Sequence, residues 1–171
     1  MSLVVLNGAS GAGKTTIAEA IERGYGDAIK VFFMDRAGVP PEAEMVERYG
    51  SGEAWQRAVT FDWMSRLSPL VAEGEAVIFE GQTRFSFLAE AVTQAGIGDA
   101  VFILVDCDDE TRRRRLSLDR EQPELANADM MNWARFLRRQ AATHAAHVLD
   151  TSRLSLEESV AYVLRVLRGE I

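Results

Sequence analysis

The chain has 171 residues, 47% hydrophobic and 26% charged, with a formal net charge of −7. That is enough for one buried core, too little for two ordinary domains, and unlike disordered or collagen-like chains. The single Cys107 excludes an internal disulfide framework or a Cys-rich zinc site, and no apolar run approaches the roughly 18 residues of a membrane span.

In chain order, Met1–Leu6 carries no basic region and leads straight into a motif, so it reads as no signal peptide and the setting as cytoplasmic. A first strand is expected at Leu3–Asn7. Gly8-Ala9-Ser10-Gly11-Ala12-Gly13-Lys14-Thr15 then fits G-x-x-x-x-G-K-[ST], with a helix Lys14–Arg23 behind it. Glycines let backbone N–H groups turn inward around phosphate oxygens, and the helix start adds its positive dipole end. Lys14 is expected partly exposed and reaching the β/γ-phosphates, with the Thr15 hydroxyl on Mg²⁺ and Thr16 beside it in the first turn.

A second strand, Ile29–Met34, ends at Asp35. Two helices are expected within Pro41–Glu73. Trp55, Ala58, Val59, Trp63, Leu67 and Leu70 form a core stripe, and Pro69 bends or ends the second helix near Ser68. A third strand, Ala76–Glu80, is followed by Gly81-Gln82-Thr83-Arg84 and a helix Phe85–Ala95. Further elements are a strand Ala100–Asp106, an arginine-rich helix Asp109–Leu118, an irregular stretch Asp119–Asp129, a helix Met131–Ala146, a strand His147–Asp150 and a helix Ser155–Arg168. This β-α-β-α series predicts an α/β fold: a five-stranded, mostly parallel sheet with helices on both faces.

Charge is uneven along this order. Residues 1–100 hold 8 Lys and Arg against 14 Asp and Glu, whereas Arg112–Arg139 holds 8 Arg against 4 acids. An acidic body with one arginine cluster suits a small polyanion better than a nucleic-acid backbone. Only Lys14 and Lys30 are lysines, and Lys30 precedes Val31-Phe32, so the N-K-x-D guanine motif is absent. Asp35-Arg36-Ala37-Gly38 matches D-x-x-G but follows Lys14 too closely for a switch loop. Ring-forming ATPases need a helical lid domain for which this length leaves no room.

Together these residues resemble the nucleotide-kinase-like group of P-loop phosphotransferases, which includes adenylate, shikimate and gluconate kinases and small antibiotic phosphotransferases. The resemblance implies a three-layer P-loop kinase domain over residues 1–171, an acceptor-binding helical insertion at about 36–73 and a lid at about 112–130. It implies ATP and Mg²⁺ as cofactors and a small-molecule acceptor as partner, with no nucleic acid and no membrane. Glu80-Gly81-Gln82-Thr83-Arg84 is similar to a D-G-x-P-R element, which implies Glu80 near the Mg²⁺ water shell and Arg84 on acceptor or γ-phosphate. Asp35 is implied as the base, Arg115 as stacking on adenine and Arg120 as reaching the phosphates. Plainer readings stand beside these. Asp35 suits a turn or cap, the arginine run a solvated helix face, and Ser152 or Ser155 a helix cap.

The insertion decides between acceptors. Arg36, Arg48, Arg57 and Arg66 face Glu42, Glu44, Glu47, Glu53 and Asp62, a poor balance for binding a dianion. A hydroxyl-bearing acceptor is therefore favoured. A nucleoside monophosphate kinase, an acceptor-independent NTPase or regulatory module, and a partner-binding scaffold remain as alternatives.

Overall fold

Short runs of β-branched and aromatic residues, apolar on both faces, can be satisfied only inside a sheet covered twice. The computed structural model describes residues 3–171; Met1 and Ser2, where the segment read as no leader begins, lie outside it. Strands β1 (Leu3–Asn7), β2 (Ile29–Phe33), β3 (Ala76–Gly81), β4 (Ala100–Asp106) and β5 (His147–Asp150) are all parallel, in the order β2-β3-β1-β4-β5. Central β1 pairs Leu3 with Val77 on one side and Ala100 on the other.

Strand alternation sorts the core into two layers. Leu3 and Val5 pack among residues of α3 (Gly52–Ala72), α4 (Phe85–Gln94) and α6 (Ala128–Thr143). Val4 and Leu6 pack among residues of α1 (Lys14–Tyr25) and α7 (Leu156–Leu167). The result is a three-layer sandwich of helix, sheet and helix. Because every strand is parallel, all five carboxyl ends open on one edge, where ligands bind in such sheets.

Several expected boundaries move, each for a local reason. β2 stops at Phe33 and Met34–Ala37 forms a 3-10 turn, so Asp35 stands just past the strand rather than at its end. After α2 (Glu42–Tyr49), helix α3 is capped by Ser51, whose Oγ accepts from Ala54 N at 3.0 Å. It continues through Pro69 to Ala72 instead of ending near Ser68. Pro69 is exposed, where its lost N–H bond is least costly, and its carbonyl still accepts from Glu73 N at 3.0 Å. The buried seam of α3 is Thr60, Met64 and Leu67, whereas Ala58 of the expected stripe is exposed.

Helix α5 (Asp109–Arg114) is shorter than the helical period suggested. It widens into a π-helical turn at Arg115–Asp119, with Arg120 N donating to Arg115 O at 3.0 Å. A 3-10 turn at Pro123–Leu125 follows, and α6 begins three residues earlier than expected because Asn127 Oδ1 accepts from Met130 N at 2.9 Å. Ser155 and Glu158 form a capping box at α7, as one of the two readings of that segment anticipated. Among the described residues no helix is long and apolar enough to cross a membrane.

Candidate active site

The loop Gly8–Gly13 links the carboxyl end of β1 to α1. A Cβ on Gly8 would stand 2.2 Å from the Val105 carbonyl oxygen of β4, and Gly13, at φ 94, holds the left-handed position from which α1 starts. Ala12 N donates to Ala9 O at 3.3 Å, and no other amide from Gly8 to Lys14 closes a backbone bond within the loop. Backbone amides in such a loop at a helix N-terminus suit an anion. Gly8→Ala is expected to lower stability by about 1–3 kcal/mol, because the new methyl meets backbone rather than a movable side chain. A denaturant-melt midpoint equal to wild type would contradict this.

Lys14, expected partly exposed, is buried at 7% exposure. Burial lowers the pKa of its ammonium; Glu80 and Asp35 oppose that shift, while Arg112 and Arg120 add to it. Lys14 Nζ lies 3.7 Å from Glu80 Oε1 and 3.4 Å from the Ala9 carbonyl. Burial also raises the pKa of Glu80, with Lys14 pulling it back. Thr15 Oγ1 donates to Glu80 Oε1 at 3.4 Å. A hydroxyl and a desolvated carboxylate side by side make an oxygen donor pair that suits a hard divalent cation.

On the α1 side of the loop a cavity of about 470 Å³ is lined by Gly13, Thr15, Thr16, Arg115, Arg120 and Thr151 among others. Arg115 does more than line it. Its Nη1 donates to Thr151 Oγ1 at 2.8 Å and, at 3.4 Å each, to the Gly11 and Ala12 carbonyls; its Nη2 donates to Thr151 O at 2.9 Å. Arg120 is exposed at the rim. Arg113 and Arg114 are exposed too and match the solvated-face reading.

The remaining member of the run, Arg112, is fully buried. Its Nη1 donates to Ser10 O at 2.7 Å and its Nη2 to Asp106 Oδ1 at 2.6 Å. Arg138, from α6, also bonds Asp106 and donates to Cys107 O at 2.9 Å. One carboxylate at the end of β4 thus binds two arginines, one of which supports the phosphate loop from below. Sequence reasoning missed this cluster; an acid closing an apolar strand was its only local signal. Asn7 was missed as well: its side chain donates to Thr83 O at 2.8 Å and accepts from Thr83 N at 3.0 Å, clamping the β3 loop to β1. Cys107 packs under the loop, 3.6 Å from Gly11 O, with its thiol pKa pushed up by burial. His144 and His147 engage Gln140 O and the Tyr162 hydroxyl.

Arg84 stands apart from the cavity beside α1. It lines a second cleft of about 410 Å³ with Glu53, Gln56, Gln82, Asp129 and Trp133 among others. Its guanidinium bonds Glu53 Oε2 at 2.6 Å and Gln56 Oε1 at 3.1 Å, and lies 5.4 Å from the ring centroids of Trp133 and Phe136. Ser10 of the loop bonds Gln82 of this cleft, Oγ to Oε1 at 3.1 Å. Asp35 is exposed in its turn and lines neither cleft; among the described residues its carboxylate caps nothing, and its own carbonyl accepts from Gly38 N at 3.0 Å. Neighbouring Arg36 is turned away, paired with Glu19 and Glu22 and lying over the Phe33 ring.

The model of a family described as AAA domain matches residues 4–134. No curated protein matches the chain. Among solved structures, a shikimate kinase from Acinetobacter baumannii in complex with shikimate superposes with a TM-score of 0.66 at 15% identity, over 99% of this chain and 94% of that one. A sugar kinase from Janibacter sp. HTCC2649 gives 0.66 at 21% identity, over 98% and 95%. A gluconokinase from Sinorhizobium meliloti 1021 gives 0.54 at 19%, over 99% and 94%. The fold is the P-loop kinase fold.

Proposed function

The chain belongs to the AAA domain family, and we propose that it transfers the γ-phosphoryl group of ATP to a hydroxyl of a small molecule. The observation that carries this reading is a second cleft besides the one on the phosphate loop, with its Gln82 bonded to Ser10 of that loop. A nucleotide hydrolase needs only the first cleft.

In this reading ATP occupies the cavity beside α1, with its phosphates on the loop amides and the dipole end of α1. Lys14 and Arg120 offset charge that builds on the transferring oxygens, where positioning and electrostatics supply most of the catalysis. Thr15 and Glu80 would hold Mg²⁺, which would neutralise phosphate charge. Arg115 sets the loop against Thr151 and forms one wall for the base. Asp35, with no protein partner for its carboxylate, receives the acceptor's proton. The segment around Arg115–Asp129 serves as the lid and 36–73 as the acceptor side, and closure excludes water from the transfer.

A stringent test is acceptor-dependent ADP formation. With a hydroxyl acceptor, Asp35→Asn is expected to lower kcat by about 10²–10⁴-fold while nucleotide affinity is unchanged. ADP release at one rate with and without acceptors would point to an NTPase module instead. A nucleoside monophosphate used well by wild type and Asp35→Asn, but not by Arg84→Ala, would point to a monophosphate kinase.

A further inference from the structure

The arginines of the acceptor side are all spoken for. Arg36 pairs with Glu19 and Glu22, Arg48 with Glu44, Arg57 with Glu90, Arg66 with Asp62 and Arg84 with Glu53. Only Arg84 of these lines the second cleft, where it pairs with Glu53 and where Asp129 is a second carboxylate in the wall. The cleft thus carries one cation against two anions. Arg84 is also the least free of the five: its side chain is 24% exposed, bonded to Glu53 and Gln56 and held against the stacked rings of Trp133 and Phe136.

From this we infer that the acceptor is an uncharged polyhydroxyl compound, a sugar or polyol, and neither a carboxylate nor a phosphate ester. The inference rests on the kinase reading above and narrows its acceptor. An anion entering this cleft must displace Glu53 from a 2.6 Å charge-assisted bond and then face the repulsion of both Glu53 and Asp129. A neutral polyol meets neither cost. Of the side-chain amides in the wall, Gln56 and Asn127 are bonded within the protein at both ends and Gln82 accepts from Ser10, which leaves the Gln82 NH2 as a neutral donor for a hydroxyl. Trp133 and Met130 supply an apolar wall for the carbon-bound hydrogens of such a ligand. Glu53 acts here as a specificity residue. It holds the guanidinium neutralised, so the cleft reads hydroxyls instead of charge.

The test uses the full chain with Mg-ATP and a panel in which each neutral sugar or polyol is matched to the carboxylate and the phosphate ester of the same carbon skeleton. Wild type is expected to release ADP with at least one neutral member, with a kcat/KM at least about tenfold above its charged counterparts. Glu53→Gln, which frees Arg84, is expected to move the carboxylate counterpart at least about tenfold towards the neutral one, mostly through KM. A best acceptor that is anionic, or a charge preference unmoved by Glu53→Gln, overturns the inference and leaves the kinase reading intact. ADP release that no member of the panel alters overturns both.

Discussion

Replacing Lys14 with alanine is expected to leave a folded protein that has lost phosphoryl transfer by on the order of 10³-fold, the scale set by removing one oriented donor from a developing oxyanion. The loss belongs to chemistry because nothing else in the loop replaces a mobile cation at that point. Arg115 is committed to Thr151 and to loop carbonyls, and Arg112 to Ser10 and Asp106. Stability follows a different rule. Burial already disfavours the Lys14 ammonium, so deleting it removes a desolvation cost and leaves Glu80 without its nearest cation. The Glu80 pKa, already raised by burial, then rises further. A raised carboxyl pKa means that the native state binds the extra proton, so stability falls as pH climbs through that value. The melting-temperature deficit of Lys14→Ala is therefore expected to be small where the carboxyl is protonated in both states and to grow as pH rises from the ordinary carboxyl range to the raised value. Wild-type turnover in the folded variant would remove the basis of the kinase reading.

What could be read from the chain and what could not divide along contact range. The loop Gly8–Thr15, its strand and its helix are local, and spacing alone was enough to find them. The parallel sheet followed from five apolar runs separated by helical segments. Asp35 was legible as a residue beyond β2, but its exposure and place inside a 3-10 turn instead of at a cap were not. The face of α3 was read one step off. Thr60 is buried because its hydroxyl reaches Thr83 Oγ1 at 2.8 Å, a tertiary bond that hydropathy cannot register. Arg84 was expected near phosphate. Its place beside Glu53 and Trp133 comes from α3 and α6 packing on α4, which no single segment encodes. The arginine run shows the limit best: four identical neighbours divide into one buried brace, one loop clamp and two solvated side chains.

That brace carries the largest stability effect expected in the molecule. Arg112→Ala is predicted to cost about 3–5 kcal/mol, the range for removing one partner from a buried ion pair. For a chain of this size that lowers Tm by about 6–20 °C. Three losses combine. The Ser10 carbonyl loses a 2.7 Å donor, Asp106 loses the fully buried one of its two arginines, and a cavity opens beneath Gly11, whose Cβ position lies 3.2 Å from the Arg112 side chain. Arg138→Ala removes the other partner of the same carboxylate, but from a side chain 37% exposed, and is expected to cost about 1 kcal/mol or less. The contrast separates a brace from a mere counter-ion. If Arg112 only balanced Asp106, the two substitutions would be similar and either would compensate for the other. Because Arg112 also holds Ser10, its loss is expected to weaken ATP binding even at temperatures where the variant is folded, and Arg112→Lys, which cannot reach both oxygens with a planar fork, should recover little of it. Thermal melts with and without ATP on the three variants decide the matter. An Arg112→Ala melt matching that of Arg138→Ala, with equal stabilisation by ATP, would show that the loop stands without this support.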